Sequence, residues 1–159
     1  MATLILTGLV ILTGLLYVRG WLRLRRMIPV WRAVSFLGGL LLVWLATASP
    51  FAMLDEQLLT AHMVQHLLLM TIGPPFILLG FPALALGVPN RFYRMPGPVF
   101  CWCAATAVLT GWHIPAGFAL AYRSMAWHHA EHATFLIAGL LFWQPLIPSR
   151  PGGTHLCSR

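Results

Sequence analysis

Two pairs of histidines in this chain stand at a spacing that puts each pair on one side of a helix. His62 and His66 are four residues apart, and so are His128 and His132. Four residues are about one helical turn, so the two imidazoles of each pair share a face. Glu131 adjoins the second pair, where it could ligate a metal directly or orient a liganding ring through its other nitrogen. His113 lies between the pairs, in Trp112-His113-Ile114-Pro115. Imidazoles suit zinc, copper, iron and nickel, and a nearby thioether shifts the preference toward cuprous copper. Met70, one turn beyond His66, is such a thioether, although packing is its commoner role. The spacing therefore offers His62, His66, His128 and His132, with Glu131 beside them, as candidate metal ligands, and His113 either as a further ligand or as a hydrogen-bonding link between helices.

The elements that must position these residues read as membrane helices. Of 159 residues 59% are apolar and 8% charged, which suits a polytopic membrane protein of one domain. The net charge of +7 comes from ten arginines and no lysine, with Asp55, Glu56 and Glu131 as the only acids. In a soluble chain such an excess would suggest nucleic acid, but here the arginines punctuate apolar runs and report topology. The expected partner of this surface is membrane lipid, not nucleic acid.

The expected fold class is all-α, a transmembrane helix bundle of about five spans at residues 2–18, 33–54, 57–81, 98–112 and 128–147, with 149–159 as a short tail. Each span is set against a hydrocarbon core of about 30 Å. The first run lacks the basic start of a signal peptide, so it is expected to be retained. Arg19, Arg23, Arg25, Arg26 and Arg32 with Trp21 and Trp31 form the first basic loop, and Pro82 to Pro98 with Arg91 and Arg94 the second. With the tail, this puts nine arginines (five, two and two) on one side and Arg123 alone on the other. By the positive-inside rule the N-terminus is outside and the C-terminus cytoplasmic.

That topology brings six of the seven histidines to the outer side. His66 and His132 would each lie roughly one turn inside their helices at ~1.5 Å per residue, at similar depth. Ionisable groups at membrane depth default to a functional role. Trp112 and Trp127 are expected in an interfacial belt. His129, turned about 100° from His128, is read as an interfacial polar residue, and His155 as a tail residue. Cys101 and Cys103 are assigned to packing, and the three cysteines imply no disulfide framework. Pro74 and Pro75 should kink or break the third span, steering its upper half toward the fifth.

Several motifs together resemble the CtaG family of cytochrome c oxidase assembly factors. They are His62-Met-Val-Gln-His66 followed by Leu-Leu-Leu-Met, Pro74-Pro75 and Leu79-Gly80-Phe81-Pro82; Trp112-His113-Ile114-Pro115; and His128-x-x-Glu131-His132 followed by Phe135, Ala138-Gly139 and Phe142-Trp143. The likeness covers roughly Ala46 to Pro148. It implies a multi-pass protein of the bacterial plasma membrane, not an enzyme, that helps make active haem-copper oxidase by getting copper to it. The implied partners are oxidase subunits or a copper chaperone, and the residues at matching positions are His62, His66, His113, His128, Glu131 and His132. Members usually continue with about two further spans, so this chain is expected to be a short form or a piece of a longer protein.

Three other functions compete on the residues alone. A b-type cytochrome would use His66 and His132 as axial haem ligands. A zinc hydrolase would use His-x-x-Glu-His with Glu131 as general base, leaving His62 and His66 without a role. A structural membrane partner would use the histidines only as hydrogen-bonding links between helices. Copper is favoured over zinc and haem.

Overall fold

The computed structural model describes residues 2–50, 58–80 and 97–147. Every regular element among them is helical: α1 (Ala2–Leu24), α2 (Val30–Thr47), α3 (Leu59–Leu67), a wide π-type turn (Leu68–Ile72), α4 (Gly73–Gly80), α5 (Pro98–His113), α6 (Pro115–Ala121) and α7 (Met125–Trp143). Among the described residues three helices are long and apolar enough to cross a membrane: α1, α2 and the continuous run Leu59–Gly80, or up to four if the bent pair α5–α6 counts as one span. The helix α7 has the length, at 19 residues, but its first half carries His128, His129, Glu131 and His132. The stretches holding Met53, Asp55 and Glu56, Arg91 and Arg94, and His155 and Cys157 lie outside the described residues.

Helix α1 continues six residues past the expected end at Val18, so Arg19, Trp21 and Arg23 are helical and the basic loop shrinks. Nothing in Arg19–Leu24 breaks a helix, and long side chains such as arginine can keep their charged heads at an apolar boundary. The chain turns at Arg25–Ile28, where Met27 and Ile28 donate to the Leu24 carbonyl, and Pro29 opens α2. Arg32 therefore sits in the first turn of α2. Tyr17 stacks on Phe36 with ring centroids 4.0 Å apart and donates its hydroxyl to the Gly80 carbonyl at 2.7 Å. One side chain thus ties α1, α2 and α4.

The break expected at Pro74-Pro75 takes another form. Gly73 N–H donates to the Leu68 carbonyl, five residues back, so the helix is widened by one residue just ahead of the prolines. The extra residue relieves the ring-against-carbonyl clash that a proline causes in a regular helix, and both prolines fall in the first turn of α4. The chain then runs on as one 22-residue helix from Leu59 to Gly80.

Two glycines let neighbouring backbones reach this helix. A Cβ on Gly39 of α2 would fall 2.6 Å from Ile77 Cγ1 and 2.8 Å from Ile77 N. On the opposite flank, a Cβ on Gly139 of α7 would fall 2.6 Å from the Met70 carbonyl oxygen and 2.6 Å from Pro74 Cγ. Small residues at such crossings permit the close packing on which helix association in lipid depends. Val43, Ala46, Leu69 and Phe135 form the core between these helices, with Met70 and Trp112 packed against it.

Pro115 shapes the remaining connection. The residue before a proline is disfavoured in the helical region, and Ile114 is extended at φ −71°, ψ 152°, so α5 stops at His113. Pro115 then occupies the first position of α6, where its missing N–H costs nothing. The two axes meet at 76°. The expected loop from His113 to Trp127 is therefore largely a short helix. Ser124 caps α7 by accepting from Trp127 N–H, which places His128 inside the helix rather than at its start.

Candidate metal centre

The helices α3 and α7 present their histidines in the same way. His62 is the fourth residue of α3 and His128 the fourth of α7, with His66 and His132 each one turn further. Within each pair the rings lie 4.2 Å apart, centroid to centroid, at 60° and 61°. The pairs also face each other, His62 lying 6.0 Å from His128 and His66 lying 5.9 Å from His132. A patch of four imidazoles is closed between two helix ends.

Glu131 stands between them. Its Oε1 is 3.4 Å from His66 Nε2 and 3.8 Å from His62 Nε2, while Oε2 is 3.8 Å from His128 Nδ1. His62, His66, Glu131 and His132 are all at least nine-tenths buried. Two groups of three have their ligand atoms within 4.8 Å of one another: His62, His128 and His132, and His62, His66 and Glu131. Metal–nitrogen bonds of about 2.0–2.1 Å put neighbouring ligand atoms roughly 3.3–3.6 Å apart, so the spacing already approaches that of a coordination shell.

Hydrogen bonding separates this patch from ordinary buried polar residues. Both ring nitrogens of His66, and Nε2 of His132, are buried without a hydrogen-bond partner among the described residues. Such atoms cost on the order of 1–3 kcal/mol each when left unpaired. Converging imidazole lone pairs of this kind are groups that a cation can satisfy.

His113 lies beside the patch rather than in either group of three. Its ring is 6.0 Å from that of His66, and Nδ1 is 2.7 Å from the Leu109 carbonyl. A carbonyl only accepts, so Nδ1 carries the proton and Nε2 the lone pair. Met70 packs against the apolar core, its commoner role. His129 belongs to neither ligand group, and its ring is 6.2 Å from His128. Cys101 is fully buried and Cys103 exposed, and neither belongs to a ligand group.

Sequence reasoning missed the residues that hold the ligands. Phe135 stacks on His66 at 4.1 Å and 19°, meets the His113 ring edge-on at 6.0 Å, and packs in the apolar core. Trp112, expected at an interface, donates Nε1–H to Thr134 Oγ1 at 2.9 Å, and Thr134 donates to the Glu131 carbonyl. Phe118 and Tyr122 flank His62 from α6 at 6.5 and 6.3 Å. Gln65, between the two histidines of α3, is fully buried. The signal for Phe135 was present, since it lies three residues beyond His132 and four beyond Glu131 on the same helical face.

An axial haem fits the patch poorly. An iron between His66 and His132 would carry a macrocycle across the ground held by His62 and Glu131, whose carboxylate is 3.4 Å from His66. The geometry suits a bare ion. A family model described as cytochrome c oxidase caa3 assembly factor (Caa3_CtaG) matches residues 15–158. No curated protein and no solved structure matches the chain.

Proposed function

The chain belongs to the cytochrome c oxidase caa3 assembly factor family, and from that premise we propose that it binds copper in the α3–α7 histidine patch and aids its delivery to the oxidase. The observation that carries this reading is the convergence of His62, His66, His128, Glu131 and His132, with both ring nitrogens of His66 and Nε2 of His132 buried and without a hydrogen-bond partner among the described residues. Imidazole ligands with a single carboxylate and no thiolate hold copper without locking it, which suits exchange with a partner. The protein acts as a carrier rather than an enzyme, with Glu131 among the ligands, not as the base of a hydrolase.

The same reading places the chain in the bacterial plasma membrane as a single domain of about five spans. Helices α5 and α7 join the three long apolar ones as spans, and the residues that follow Pro148 are on the cytoplasmic side. The arginine distribution supports an outside N-terminus, so the patch opens outward. The recipient is an oxidase subunit or a chaperone that serves it. His113, with Nε2 available beside His66, is a peripheral ligand.

The test has two arms. Purified protein in lipid nanodiscs should take up copper under reducing conditions, and folded protein that took up none would remove the metal-binding half. Deletion of the coding sequence should lower oxidase activity when copper is limiting, and wild-type activity at low copper would remove the assembly half.

A further inference from the structure

The two ligand groups share one member. His62 belongs both to the set with His128 and His132 and to the set with His66 and Glu131. They also differ in access: His128 has 20% of its side chain exposed, whereas the side chains of His62, His66 and Glu131 are 3%, 8% and 2% exposed. The carboxylate of Glu131 spans the two, with Oε1 toward His62 and His66 and Oε2 toward His128.

Resting on the copper-binding reading above, we propose that the patch holds one ion at a time and offers it two overlapping positions, an entry position on His62, His128 and His132 and a buried holding position on His62, His66 and Glu131. Double occupancy is disfavoured by the geometry. Two ions would need His62 to bridge them through both nitrogens, which strips its ring proton, and would set two cations against each other in a buried site.

Movement between the positions is a ligand exchange with no change of oxidation state. The ion keeps its bond to His62 while the bonds to His128 and His132 break and those to His66 and Glu131 form. Glu131 follows the charge across, because one of its oxygens faces each position. The ion is never without a ligand. Loading and unloading both pass through His128, the exposed member, so the chain can accept and release cargo at one mouth.

The positions can be separated by variants of the full chain in nanodiscs, using copper(I) alone and a copper(I)-specific chelator as competitor. The wild type should bind one copper per chain. H66A should still bind one, with affinity lowered at least tenfold and release to the chelator faster. H128A should also bind one, but with uptake and release slowed at least tenfold. Glutamine replacements at both positions, which keep a polar side chain, serve as a second pair should the alanine variants fail to elute as folded protein.

Binding of two coppers at saturation by the wild type would overturn the proposal. So would complete loss of binding in folded H66A or H128A, since that is the behaviour of one undivided site, and so would unchanged release kinetics in H128A. These outcomes leave copper binding itself standing. A folded wild type that binds no copper instead removes the reading on which the proposal rests.

Discussion

The two ends of the long helix Leu59–Gly80 bury polar groups in opposite ways. At the α4 end, the Tyr17 hydroxyl is fully buried and donates to the Gly80 carbonyl at 2.7 Å. Trp21, in the cluster around Tyr17, is also paired, with the Ile28 carbonyl. At the α3 end, His66 is buried too, yet neither of its ring nitrogens has a hydrogen-bond partner among the described residues. A satisfied buried group fixes helices to each other; an unsatisfied one costs stability unless something else arrives to bind it. On the proposed reading, the first end serves structure and the second a ligand.

If that contrast is right, the largest effect should come from the side chain common to both ligand sets. His62→Ala should lower copper(I) affinity by a hundredfold or more, measured by chelator competition, while the metal-free protein loses the ring contacts with His66, Phe118 and Tyr122 and keeps its fold. A lowered thermal midpoint with copper affinity unchanged would place His62 with Tyr17 as a structural residue.

A second substitution probes how the two ends are coupled. Gly139→Val puts side-chain carbons where the Met70 carbonyl and Pro74 ring now lie, so α7 must move away from the widened turn. Overpacking of this kind costs typically 1–3 kcal/mol. Since α7 carries His128, Glu131 and His132, copper affinity should fall about tenfold along with stability. Denaturation in mixed micelles and chelator competition on one sample would check both. A stability loss with unchanged copper affinity would show that the patch is held from its own end, by Phe135, Trp112 and Thr134.

How far the sequence reveals all this depends on how local each determinant is. The i, i+4 spacing of His62/His66 and His128/His132 put each pair on one face, and the helices obey it. The helical class followed from apolar runs alone. Where α1 ends was not legible, because Arg19 and Arg23 mark charge rather than helix termination. The widened turn at Leu68–Ile72 was invisible for a different reason: Pro74-Pro75 announces a missing donor, while the answer to it depends on Gly139 arriving from α7. His113 shows the same limit. Its motif placed it with the ligands, but the extended Ile114 ends α5 there, and the ring comes to rest at the edge of the patch.

The smallest expected effect lies at the structural end. Tyr17→Phe removes one hydroxyl and leaves the Gly80 carbonyl to find another donor, while the stack on Phe36 at 4.0 Å is kept. Buried hydrogen bonds between membrane helices average about 0.6 kcal/mol in measured cycles, so a loss of roughly 0.5–1.5 kcal/mol is expected. Copper affinity should be unchanged within twofold, because Tyr17 touches α2 and α4 but none of the ligands. The measurement is a denaturation curve beside a chelator titration. A copper effect larger than the stability effect would mean that the α4 end sets the position of the histidines as well, and the division between a structural end and a ligand-binding end would fail.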